Sequence, residues 1–279
     1  MKLLCRYGIV PFIACLGGAS LAIAQTKKSV TDWTVYALLG DAAQLDVQRL
    51  GDAVKARMVA EDALTSITPS ADRLSMVVGR GSASISFQAK PLAAEGLGDA
   101  CKHAVWYWRE ACDSVRTHRT HVQIVVSDTE LRRVDSAFLT TKLLAAVMET
   151  HPGAAVFWGA NLQSAAAFAK TSVELARENV PATTWVSYRY IREPSGNVSI
   201  QTRGMREFEL MEMEARNVAY PGRELLEMVM TTARRLIMKG GVLADGETIG
   251  GQPGRRVHIK FAESPFTPGR RVYRVEIGS

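Results

Sequence analysis

Glu207, Glu209, Glu212 and Glu214 crowd into a stretch that reads Glu-Phe-Glu-Leu-Met-Glu-Met-Glu. Alternating with apolar neighbours, these carboxylates would share the wet face of a strand. A close pair there could do general acid–base work or hold a divalent cation. A row of glutamates is more often a solvated strand face, and that reading is preferred. Further on, Asp245-Gly246-Glu247-Thr248-Ile249-Gly250-Gly251 makes a compact acidic turn with too few oxygen ligands for a self-sufficient calcium loop. Its carboxylates stay open as partners of Glu212 and Glu214 in a jointly built site. The candidate binding residues are therefore Glu212, Glu214, Asp245 and Glu247, with Trp158 as an aromatic candidate. No catalytic residue, metal ligand or cofactor is assigned.

Other chemistry finds no motif. The hydrolase nucleophile elbow, the Walker loop, the EF-hand loop and the zincin helix do not occur in the sequence. Gly79-Arg80-Gly81 lacks the third glycine of a dinucleotide fingerprint and reads as a turn. His118 and His121, three apart at the entry to a strand, are expected to point to opposite faces rather than share a metal. His103, His151 and His258 have no companion at ligand spacing.

The elements that must position these residues fall into two rhythms. Trp33–Leu39 is a β-rich apolar run, 42–59 has helical spacing, and Pro69 marks 65–71 as a loop. Arg73–Val78 and 82–89 read as a hairpin through Gly79 and Gly81, 98–113 as one helix, and 121–126 as a strand. The order β-α-β-β-α-β is the ferredoxin-like arrangement, which predicts an antiparallel sheet with both helices on one face.

In the second half, helices are predicted over 136–149, 163–178 and 221–237, the last opened by Pro221 and stopped by Gly240-Gly241. Strands are predicted over 154–158, 183–191, 198–202 and 207–214, with a closing hairpin of 256–261 and 271–277. Within 207–214 the apolar positions change parity between Leu210 and Met211, which predicts a bulge there. The fold class expected is α+β: a ferredoxin-like unit over 25–130, continuous with a second, mixed-sheet unit over 131–279.

Residues 1–24 carry the layout of a secretory signal. Lys2 and Arg6 precede an uncharged run, and Ala22-Ile23-Ala24 gives the small-x-small pattern before a new N-terminus at Gln25. An uncleaved anchor and a lipoprotein at Cys15 are the less favoured variants. The mature chain is therefore expected in the periplasm or outside the cell, with no membrane span after cleavage. The formal net charge of +6 is scattered over pairs such as Arg132-Arg133 and Arg270-Arg271, without interleaved aromatics. This reads as solubility, with no nucleic-acid partner.

Cys101 and Cys112 remain after the signal, an even pair in an oxidising compartment. On one unbroken helix they would stand roughly 16 Å apart, whereas bridged cysteines need Cα atoms within about 7 Å. Either the helix breaks near Trp108 or the thiols stay reduced; reduced thiols are the preferred expectation.

Several segments resemble an uncharacterised bacterial family, domain of unknown function 4261. They are Trp33–Leu39, the run from His121 to Ser127, Ala155-Val156-Phe157-Trp158-Gly159, and Pro181 through Trp185-Val186. The most specific is Thr202-x-Gly204-Met205-x-x-Phe208-x-x-x-Glu212-x-Glu214, followed by the Gly240 to Gly250 run and a V-x-R close at Val272 to Arg274. The resemblance implies a shared fold and no established activity. Relatives of this type look cytoplasmic, so the signal is a departure that puts a cytoplasmic role in doubt. The expected function is a non-catalytic exported binding protein whose partner is another protein, of the kind that gives immunity against a delivered antibacterial toxin. A cell-envelope assembly factor and a carboxylate- or metal-dependent hydrolase are the alternatives, the last requiring the acidic residues to converge in one pocket.

Overall fold

The computed structural model describes residues 32–40, 44–127, 129–173, 175–176 and 180–278. The signal expected at 1–24 and the cleavage point expected between Ala24 and Gln25 lie outside the described residues. The α+β class expected from the sequence is present, built on two sheets in a single unit over 31–279.

The first sheet is antiparallel throughout and comprises β1 (Trp33–Leu39), β2 (Leu64–Pro69), β3 (Arg73–Val78), β4 (Gly81–Gln88), β5 (Thr120–Ser127), β6 (Ala155–Trp158) and β7 (Asn161–Ser164). Its order is β2-β3-β4-β5-β1-β6-β7. This corrects the ferredoxin-like expectation. There the last strand of the unit would join the free edge of β1, whereas β5 slots between β4 and β1, pairing Ile85 with Ile124 and Ile124 with Val35. β6 and β7 then extend the sheet past the expected unit boundary at residue 130. Segment 65–71, read as a loop, supplies β2: Pro69 is tolerated because it ends a strand at the sheet's edge.

Helices cover both faces of this sheet, not one. Val35, Ala37 and Leu39 point into the main core with α1 (Val47–Arg57). Tyr36 and Leu38, on the opposite side of the pleat, meet α2 (Leu97–Ala104) and α3 (Ala111–Thr117). The main-core face also receives α4 (Arg133–Thr150) and α5 (Ala165–Val173), which begins only after β7 and so shortens the helix expected from residue 163.

α2 and α3 replace the single helix expected over 98–113, and the break brings Cys101 and Cys112 into a disulfide with Cα atoms 4.8 Å apart. The reduced-thiol expectation is thereby corrected. In the turn between the helices, Trp106 Nε1 donates to Tyr188 O at 3.2 Å, and Tyr107 donates its hydroxyl to Leu162 O. These bonds to distant strands, with the covalent bridge, offset the helical hydrogen bonds given up at the break.

α6 (Ala182–Trp185), a single helical turn, occupies the start of what reads as a strand over 183–191. The second sheet follows: β8 (Ser187–Arg192), β9 (Val198–Arg203), β10 (Met213–Val218), and, after α7 (Gly222–Lys239), β11 (Thr248–Gln252), β12 (Arg255–Glu263) and β13 (Arg271–Gly278). Their order is β11-β12-β13-β10-β9-β8, with β10 and β13 parallel. β11 occupies the later part of the segment read as an acidic turn.

One face of this sheet places Ile200, Met213, Tyr273 and Ile259 in the main core with Leu225, Val229 and Ala233 of α7. The other face is polar. Arg189, Gln201, Glu214, Arg274 and Lys260 stand side by side in register across five strands. The segment 207–214 is not a bulged strand. It begins in a 3-10 turn, Met205–Phe208, passes through Glu209 at φ 63°, and joins β10 at Met213. The parity change marks where the chain turns.

Candidate functional site

The signature from Thr202 to Glu214 folds into one device centred on Glu212. Its Oε2 accepts from Thr202 Oγ1 at 2.7 Å and from the Met205 amide at 3.4 Å. Oε1 accepts from the amides of Gly204 at 3.0 Å and Arg206 at 3.4 Å. Successive amides pointing at one carboxylate form a concave nest for negative charge. Burial pushes the Glu212 carboxyl above the ordinary range, and the four hydrogen bonds pull against it. Gly204 stands at φ 118°, and a Cβ there would lie 2.6 Å from Trp185 O, so only glycine closes the turn. Phe208 anchors the far end against Trp33 and Trp185, with ring centroids at 5.2 and 5.5 Å.

Glu207 rides on this turn. Its Oε2 accepts from Trp158 Nε1 at 3.2 Å, and Arg133 Nε donates to its backbone oxygen at 2.7 Å. Gly159 is in the left-handed region directly beneath the carboxylate; a Cβ there would fall 2.5 Å from Oε1. Burial raises the Glu207 pKa to about 7, the Trp158 hydrogen bond opposes this, Glu212 adds to it, and Arg133 opposes it. Trp158 is fully buried, so the aromatic candidate serves as a donor to Glu207 inside the fold.

Glu214, 2% exposed, accepts from Ser264 Oγ at 2.9 Å on both oxygens and from Gln201 Nε2 at 3.2 Å. Ser264 Oγ in turn accepts the amides of Phe266 and Thr267, so the β12–β13 loop is fastened over the polar face. Between the loop, β9 and the signature turn lies a cavity of about 390 Å³ lined by Glu207, Glu212 and Glu214 together with Arg203, Arg206 and Arg270.

Asp245 and Glu247 are not among its lining residues. Asp245 Oδ1 accepts from the Phe261 amide at 2.7 Å. Glu247 accepts from the Ala244 amide at 2.9 Å and from Arg235 at 3.2 Å. Both fasten the segment after α7 to its neighbours. The structure therefore brings Glu212 and Glu214 together, adds Glu207, and leaves Asp245 and Glu247 elsewhere. Among the described residues no three His, Cys, Asp or Glu side chains group at metal-binding spacing. His118 and His121 both hold the segment before them: His118 Nε2 accepts from the Leu92 amide at 2.7 Å, and His121 Nδ1 lies 2.9 Å from Lys90 O.

The α2–α3 turn is a second feature that sequence reasoning missed. Val105, Trp106 and Tyr107 are 45%, 46% and 42% exposed, on a segment clamped by the disulfide. The apolar triplet itself is the signal that could have found it, had the helix not been drawn through it.

The class defined by fold and site is an α+β protein in which a signature turn is pinned by a buried glutamate beside a mixed-charge cavity. Residues 201–276 match the model of a family described as a domain of unknown function, DUF4261, and over this segment the chain resembles that family. The match spans the Thr202 to Glu214 signature, the Gly240 to Gly250 run and the V-x-R close; the resembling segments before residue 201 lie outside it. Neither the curated proteins nor the solved structures gave a match. Among the described residues no helix is long and apolar enough to cross a membrane.

Proposed function

We propose that the chain is a non-catalytic binding protein, exported to the periplasm, whose partner is another protein; the immunity-type neutralisation of a delivered toxin is the specific role put forward. The observation that carries this reading is the exposed Val105-Trp106-Tyr107 triplet on its disulfide-clamped turn. Tryptophan and tyrosine are favoured interface anchors, and anchors held in place before binding lose little entropy on association. Trp106 and Tyr107 are held by their hydrogen bonds to Tyr188 O and Leu162 O. Close by, burial and then the charges of Arg189 and Arg203 hold His103 below its ordinary pKa, which marks the flank of the turn as basic. An acidic partner surface with an apolar pocket complements it. The disulfide suits an oxidising compartment, in support of export. Glu212 and Glu214 have their oxygens engaged by the fold itself, which favours binding over hydrolysis.

The test is a pull-down of the tagged protein from the periplasm of its native host, beside a Trp106→Ala/Tyr107→Ala variant. A stoichiometric partner with toxin-like activity, retained by the native chain and lost by the variant, is expected. Recovery of the chain alone, or equal retention by the variant, would count against the reading.

A further inference from the structure

We propose that the cavity under the β12–β13 loop binds a small molecule carrying one carboxylate beside an N–H donor: a free amino acid or the C-terminal residue of a peptide. The lining holds hydrogen-bonding capacity of both signs that the fold leaves unmet. Arg203 and Arg270 both line the cavity, and neither guanidinium bonds or ion-pairs with another described residue. Gln201, 3% exposed, turns Nε2 to Glu214 and leaves Oε1 buried without a donor. A buried acceptor in that state destabilises the fold, and an arriving N–H relieves it. The guanidinium fork matches a carboxylate in two parallel hydrogen bonds.

Charge then sets how many anionic groups the ligand carries. Arg203, Arg206 and Arg270 share the lining with Glu207, Glu212 and Glu214. A dianion such as phosphate meets as many carboxylates as guanidiniums, whereas a single carboxylate with an adjacent donor answers both signs. The cavity's volume of about 390 Å³ is at the small end of the range usual for ligand sites, roughly 300–1,000 Å³, and suits an amino acid or a dipeptide end. The tie from Ser264 to Glu214 holds the covering loop in place without a ligand, so the site is largely formed beforehand. The Val105-Trp106-Tyr107 turn contributes nothing to this lining; of the residues that mark its basic flank, Arg203 alone also lines the cavity.

Calorimetric titration of the purified protein with L-alanine, L-alanyl-L-alanine, acetate and inorganic phosphate tests it. Saturable binding of L-alanine or the dipeptide is expected, at least about tenfold tighter than acetate, and about tenfold weaker or worse in an Arg203→Gln/Arg270→Gln variant. Binding of the dipeptide alone assigns a peptide terminus, binding of alanine alone a free amino acid, and binding of both supports the shared chemistry. Phosphate binding tighter than either, no binding of either, or unchanged affinity in the variant overturns the proposal. In the native chain the Gln201 side-chain amide resonance must also shift on saturation, a readout independent of any substitution; a fixed resonance overturns the proposal as well.

Discussion

Trp158 Nε1 lies 3.2 Å from Glu207 Oε2, and this one bond joins the end of β6 in the first sheet to the turn between β9 and β10 in the second. Trp158 also sits 6.3 Å, centroid to centroid, from Trp185 at the start of the second sheet. A carboxyl group thus stands at a seam otherwise made of aromatic rings, and its protonation state bears on how the two sheets hold together.

Glu207 therefore makes stability depend on pH. Its carboxyl titrates near 4.5 when unburied and near 7 in the fold, so the folded state holds the proton more tightly. For a raised pKa the contribution is complete below about pH 4.5, declines as pH rises towards 7, and is gone above it. The loss is on the order of 3 kcal/mol. Glu207→Gln keeps an acceptor for Trp158 and removes the titration. Urea denaturation across this range should show the native chain weakening more steeply with rising pH than the variant, the variant being the more stable at about pH 8. Parallel curves for the two proteins would refute the assignment.

Glu212 calls for the opposite outcome. Its removal takes the acceptor from three amides and leaves the Thr202 hydroxyl only the long bond to Met213 O, at 3.4 Å. Glu212→Ala should cost about 2–4 kcal/mol, and Thr202→Val, which deletes one donor to Glu212 and the acceptor of the Met213 amide, about 1–3 kcal/mol. A loss below about 1 kcal/mol for Glu212→Ala, read from denaturant midpoints, means that the turn is held by Phe208 packing alone.

How far the sequence reveals this fold depends on whether a feature is decided locally. The β3–β4 and β12–β13 hairpins follow from alternation and nearby turn residues, and both form as the pattern predicts. α7 ends at Gly240, at φ 63°, because a glycine there can adopt the left-handed cap. The break between α2 and α3 is different: its partners, Leu162 O and Tyr188 O, lie 55 and 82 residues away in the chain. The place of β5 between β4 and β1 likewise depends on pairings that no local pattern carries. At the site, Glu212 and Glu214 are legible as a pair. Their roles are not, because alternating glutamate and apolar residues from 207 to 214 imitate a strand while Gly204 has already turned the chain. Glu207 gave no separate signal, since its partner Trp158 belongs to the other sheet.

The disulfide carries a prediction of its own. Cys101 and Cys112 close a short loop around the aromatic turn, and Cys101→Ser/Cys112→Ser should lower stability by about 3 kcal/mol. Alkylation of the unfolded, unreduced protein should leave both cysteines unlabelled. Labelling of either under those conditions would restore the reduced-thiol reading and loosen the turn on which partner binding is proposed to rest.

Lys142 and Asp62 make the most buried ion pair described, with Nζ at 2.6 and 2.9 Å from the two carboxylate oxygens and Asp62 also accepting the Val59 amide at 2.8 Å. The pair joins α4 to the turn before β2. Taking two charges out of water costs nearly what their attraction returns, so the pair adds little net stability, but losing one partner strands the other. Lys142→Met should therefore cost about 3–5 kcal/mol, and Asp62→Asn added to it should recover part of that loss, because the neutral amide no longer needs a counter-charge. A double variant no more stable than Lys142→Met alone would show that the lysine acts through its packed methylene stem instead.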